Sequence, residues 1–122
     1  MAERRPERVA HLVQAELAAW FLRDATNRRL QQVTVTAVRM SPDLRLARVY
    51  FRTLEGAQAE ADTQRALVRA TPHLRRVLGR ALALRVTPEL RFEYDVTPDQ
   101  ARRVDELLRA GRDPSSDDEK DR

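Results

Sequence analysis

Arg65, Arg69, His73, Arg75, Arg76 and Arg80 are the side chains in this sequence best suited to chemistry, and the chemistry they suit is anion recognition. No acid falls between positions 65 and 80, so these bases have no ion-pair partner on a helix within that segment. Guanidinium groups match phosphate oxygens in a two-pronged geometry. At helical spacing, Arg65 and Arg69 lie opposite Ala66 and Leu67. Arg76 and Arg80 point away from Leu74, Val77, Leu78 and Ala81, with His73 and Arg75 on the flanks. Arg45 and Arg48 form a second set, and Arg28 and Arg29 a third, whose relation to the first depends on tertiary geometry. A solvated basic face serving only solubility is the plainer alternative. Six bases without an acid favour phosphate recognition over it.

Other chemistries find little support. The chain has no cysteine and only two histidines, His11 and His73, which leaves no thiol nucleophile and no Cys/His metal site. Its three glycines, Gly56, Gly79 and Gly111, are too scattered for a dinucleotide fingerprint or a P-loop. His11 is expected as a structural, partly buried flank of a helix. Glu16, Glu89 and Asp95 are expected in salt bridges, since no spacing forces them together. No catalytic residue, metal or cofactor is expected, and the chain is expected not to be an enzyme. Tyr50 and Tyr94 could stack on bases, although packing within strands accounts for them equally simply.

The elements that must position the arginines follow from periodicity. Val9, Leu12, Val13, Leu17, Trp20 and Phe21 recur at spacings of three and four, which predicts a first helix from Pro6 to about Asp24. Val33 to Met40 alternates as a strand, and its apolar phase shifts near Ala37 and Val38, as a bulge would require. Ser41-Pro42-Asp43-Leu44 supplies a turn, and Leu46 to Leu54 completes a hairpin. Beyond Gly56, a helix with Asp62 as its cap buries Thr63, Ala66, Leu67 and Ala70.

Proline in a helix interior removes a hydrogen bond and clashes with the preceding turn, so Thr71-Pro72 predicts a break, with Thr71 capping a new helix. The amides of His73 and Leu74 at that new N-terminus would then face an anion. Gly79, unfavourable within a helix by roughly 1 kcal/mol relative to alanine, implies close approach by a backbone or a neighbouring element. Leu90, Phe92 and Tyr94 alternate as a third strand, and Ala101, Val104 and Leu108 mark a final helix that starts at Thr97-Pro98 and closes at Gly111.

The chain has 122 residues, with 42% hydrophobic and 5% aromatic content, enough for one core built from Leu, Val and Ala. The formal charge is +4. Residues 1–110 are expected as the domain and residues 111–122 as a disordered acidic tail, too poor in apolar residues to offset the entropy of ordering. No apolar run approaches the length that spans a bilayer, and a cytoplasmic, unexported monomer without membrane contact is expected.

Several spaced motifs together resemble the ribosome-binding factor A family from Arg4 to about Leu108. They are Arg8-Val9-Ala10, Val13-Gln14 and Glu16-Leu17-Ala18, then Val33-Thr34-Val35-Thr36, Ser41, Asp43-Leu44, Ala47 and Val49-Tyr50. Leu74-Arg75, Leu84-Arg85, Pro88-Glu89-Leu90, Phe92 and Asp95 continue the match. The resemblance implies an α+β, type II K-homology-like domain, α-β-β-α-kink-α-β with a short C-terminal helix. The kink falls at Ala70-Thr71-Pro72, where proline replaces the family's usual glycine. Asn27-Arg28-Arg29-Leu30 stands where the family has Asp-Pro-Arg-Leu, which adds positive charge to a loop.

The resemblance further implies a non-enzymatic small ribosomal subunit assembly factor. It would bind immature subunits through ribosomal RNA, support late rRNA processing and growth in the cold, and be released with help from an assembly GTPase. The residues expected to touch RNA come from the charge pattern: Arg65, Arg69, His73, Arg75, Arg76 and Arg80 first, then Arg45 and Arg48. An interaction module that docks an acidic protein through the same basic helical face is the alternative function. A small enzyme using carboxylates gathered by the fold is the remote third.

Overall fold

Val9, Val13, Leu17 and Phe21 line the buried side of helix α1 (Pro6–Arg23) in the computed structural model, which describes residues 6–111. His11 is exposed on this helix, so the partly buried flank expected for it is corrected. Of the expected acidic tail, Gly111 is the last residue of a helix and residues 112–122 lie outside the described residues.

Strands β1 (Val33–Met40) and β2 (Leu46–Thr53) pair antiparallel, and β3 (Glu89–Tyr94) lies parallel to β2, giving the order β1-β2-β3. The register slips between Val35 and Ala37, and the extra residue there lets Val33, Val35 and Val38 all face inward despite their odd and even positions. Helices α1 and α2 (Glu60–Leu82) cover one face of the sheet, burying Ala47, Val49, Phe51, Leu90 and Phe92 beneath them. Arg39, Arg48 and Arg91 point from the other face into solvent. Two helices, α1 and α2, packed on one side of a three-stranded mixed sheet make this α+β, in the K-homology-like order that the sequence implied.

Two expectations about α2 need correction. Asp62 does not cap it: the helix begins at Glu60, with Ala59 at the N-cap position, and Asp62 sits within the first turn. Nor does the helix break at Thr71-Pro72. It runs without interruption from Glu60 to Leu82, and the Thr71 hydroxyl donates to the Leu67 carbonyl at 2.8 Å instead of capping a new helix. Proline is tolerated because the carbonyl it leaves unbonded belongs to Val68, on the solvent side, where water can serve. Leu67, Leu74 and Leu78, each fully buried, anchor both halves to the same core. With no new N-terminus, the amides of His73 and Leu74 are internal helix donors and cannot form an anion site. Ala83, in the left-handed conformation at φ 50°, ends the helix.

Helix α3 (Thr97–Gly111) follows β3, but its apolar stripe stays in solvent, with Val104, Leu107 and Leu108 48 to 59% exposed. Asp95 fixes its start. One carboxylate oxygen accepts the Thr97 amide at 2.8 Å, and the other accepts the Thr36 hydroxyl at 2.5 Å. Arg52 donates to the Asp95 carbonyl at 2.7 Å. The Thr36 hydroxyl holds the Asp95 carboxyl below its ordinary value of 3.8, helped by Thr97 and the Arg52 charge and opposed by burial. Because the folded pKa lies below the unfolded one, ionised Asp95 stabilises the fold above pH 3.8, and that contribution disappears as pH falls through the folded value. Denaturant titrations at pH 7 and at about pH 2 check this: Asp95→Asn should lose less stability on acidification than the parent chain.

Candidate nucleic-acid interface

On an unbroken helix, Arg65, Arg69, Arg76 and Arg80 fall within a sector of about 60°, at 3.6 residues per turn, on the side opposite Leu67, Leu74 and Leu78. The stripe runs about 22 Å along the axis, at 1.5 Å per residue. All four side chains are exposed. Two independent helices would have set the arginine pairs at an arbitrary angle; one helix aligns them in a row that can follow a nucleic-acid backbone.

Towards the N-terminal end of α2, Arg65 pairs with Asp62 at i,i+3, so one base of the stripe does have a helical partner, just outside the acid-free segment. Beside it the loop after α1 brings Arg28 and Arg29 against the helix, where they line a cavity of about 550 Å³ together with Arg65 and Arg69. The arginines of that loop therefore join the helical set.

Towards the C-terminal end, Pro72, Arg76, Gly79, Arg80, Arg75 and Thr87 line an open hollow of about 610 Å³. Here Arg75 is largely structural. Its Nε donates to the Pro88 carbonyl and its Nη2 to the Thr87 carbonyl, both at 3.0 Å, which fastens the segment before β3 to α2. Gly79 is explained by that same segment: a Cβ there would meet Thr87 Oγ1 at 2.9 Å. Unfolding measurements on a double-mutant cycle test the point. Gly79→Ala should bring no gain in the parent chain, but about 1 kcal/mol of helix propensity once Thr87→Ala has removed the hydroxyl.

Of the remaining candidates, Arg45 and Arg48 separate from the stripe, while His73 lies exposed at its edge. His73 turns towards α1, its ring 5.7 Å from that of Trp20. Arg48 lies on the open face of the sheet, directly between Arg39 and Arg91 in the register, and 3.8 Å from Glu93. It is on the side of the sheet away from α2. Arg45 is exposed at the end of the hairpin, where its carbonyl accepts the Glu89 amide at 2.8 Å. Tyr94 is buried edge-on against Phe51, with the Arg52 guanidinium 5.1 Å from its ring centre, so no base can stack on it. Sequence periodicity missed Asn27 and the Arg39–Arg48–Arg91 row; the outward phase of β1, β2 and β3 was the available signal for the row.

Among the described residues no cluster of His, Asp or Glu could hold a metal, and no helix is long and apolar enough to cross a membrane. What the geometry brings together is a row of exposed cations along one side of a continuous helix.

The chain is also similar to proteins already known. Residues 5–108 match the family model described as ribosome-binding factor A. A Coxiella burnetii protein named ribosome-binding factor A is 39% identical over 104 residues, covering 85% of this chain and 87% of that protein. A Thioalkalivibrio sulfidiphilus protein of the same name is 38% identical over 122 residues, covering 97% of this chain and 95% of its own. The crystal structure of ribosome-binding factor A from Thermus thermophilus superimposes with a TM-score of 0.66 at 28% identity, covering 75% of this chain and 97% of that one. A homology model of the Thermus thermophilus factor, fitted into a cryo-EM map of its complex with the 30S subunit, gives 0.59 at 29% identity, covering 71% and 91%.

Proposed function

Because this chain belongs to the ribosome-binding factor A family, we propose that it is an assembly factor that binds immature small ribosomal subunits through their ribosomal RNA. Support for the partner comes from the Thermus thermophilus relative, which was fitted into a 30S complex. Support for the mode of binding comes from the stripe of Arg65, Arg69, Arg76 and Arg80 along one side of α2. Arg69, Arg76 and Arg80 take part in no ion pair among the described residues, so an incoming phosphate meets cations that need not first be released. Late rRNA processing, growth in the cold, release by an assembly GTPase and a cytoplasmic site of action belong to the same reading, in which the chain holds RNA and performs no catalysis.

Binding of the purified chain to immature and mature small subunits across a salt series tests this. Saturable binding that prefers immature particles and weakens linearly in log affinity against log salt is the expected result. Failure to bind either particle at low salt would overturn it, and saturable binding to an acidic protein instead would identify a docking module.

A further inference from the structure

The cavity between the loop after α1 and the start of α2 holds more cations than its own acids neutralise. Arg29 reaches Glu55 at 2.8 Å and Asp62 at 3.4 Å, and Arg65 also pairs with Asp62. Both acids of the cavity are thereby engaged by two of its four arginines. Arg28, on the loop, and Arg69, on the helix, both line the cavity and have no ion pair among the described residues.

The walls are fixed in advance. Asn27 Oδ1 accepts the Arg29 amide at 2.8 Å and the Leu30 amide at 3.4 Å, and Gln31 Nε2 donates to the Ala25 carbonyl at 2.9 Å. Ala25 and Leu30 are buried, so the loop is pinned from below as well as by its ion pairs. Between Arg65 and Arg69 the helix presents Ala66, whose small side chain leaves the floor open. Two unpaired like charges facing a common space repel one another, and an anion placed between them converts that repulsion into attraction, against the cost of ordering two exposed side chains.

We propose that this cavity is a phosphate site in its own right, with Arg28 and Arg69 gripping one backbone phosphate of the bound RNA from two elements of the fold. A tetrahedral phosphate has oxygens to offer both planar guanidinium forks at once. The proposal rests on the RNA-binding reading above and adds a path to it: the strand leaves the axis of α2 near Arg69 and turns over the loop carrying Arg28.

The test compares the full chain with Arg28→Ala/Arg69→Ala, both being exposed side chains outside the core. Subunit affinity is measured across salt, with thermal unfolding as the control for folding. Because the two arginines share one phosphate, the slope of log affinity against log salt should fall by about 0.7 to 0.9, and not by twice that. An unchanged slope in a variant that still binds and folds overturns the proposal, while the wider reading survives if Arg76→Ala/Arg80→Ala still weakens binding. Arginine side-chain NMR signals of Arg28 and Arg69 are then followed with a short single-stranded RNA and, separately, with inorganic triphosphate. Movement with RNA supports the site. Movement with triphosphate alone reassigns the cavity to a free polyphosphate and overturns the RNA assignment.

Discussion

Replacing Arg76 and Arg80 with alanine is expected to weaken binding to immature small subunits by roughly 10- to 100-fold, from about 1.5 kcal/mol per charge-assisted contact and incomplete additivity. Both side chains are exposed and lie opposite the buried side of α2, so the thermal unfolding midpoint should not move. The salt slope should fall by about 0.7 to 0.9 for each phosphate the pair neutralises. Parallel measurement of the midpoint and of subunit affinity checks both halves. Unchanged affinity in a folded variant would remove the C-terminal end of the stripe from the interface. Arg75→Ala is the informative contrast: its guanidinium binds the Thr87 and Pro88 carbonyls, so its loss should loosen the segment before β3 and lower the midpoint.

The second large effect is on stability. Leu78 is fully buried one turn beyond Leu74, and Leu78→Ala should lower the unfolding free energy by about 2 to 5 kcal/mol through lost burial and the cavity left behind. A domain of this size has total stability of about 5 to 15 kcal/mol, so such a variant is close to the limit of folding at growth temperature. Denaturant unfolding at 25 °C measures the loss. Leu78 also anchors the half of α2 that follows Pro72, so the damage should include the alignment of the arginine stripe. Any binding defect of this variant should therefore disappear at temperatures low enough to keep it folded, whereas the Arg76/Arg80 defect should persist there.

Much of this molecule was legible in the residues themselves. The four-residue spacing of Val9, Val13, Leu17 and Phe21 is enough for α1, because one helical side repeats at that interval. The phase change around Ala37 indicated the bulge in β1, since side chains in a strand alternate strictly and an extra residue is needed to reset them. Spacing alone also showed that Arg65, Arg69, Arg76 and Arg80 face away from the core. The family motifs, distributed from the first helix to Asp95, carried the fold class and the family, and the match over residues 5–108 bears out the family.

Three outcomes could only be decided by packing. Local rules favour a break at Thr71-Pro72, yet Leu67, Leu74 and Leu78 reach one core from both sides of the proline, and the one lost hydrogen bond falls on the solvent side. Tertiary burial outweighed a single unfavourable residue. The final helix went the other way: the apolar spacing of Val104 and Leu108 suffices for a helix, but burial needs an opposing surface, and none covers them among the described residues. Arg28 is the third case, since no local rule says which element a loop arginine meets. The loop after α1 brings Arg28 to the cavity that Arg69 also lines, while strand alternation sends Arg48 to the far side of the sheet. Sequence determined which side chains carry charge and which way each element turns them, because those are local properties of period and type. Which charges meet depends on how the elements stack, and that is set by the shared hydrophobic core.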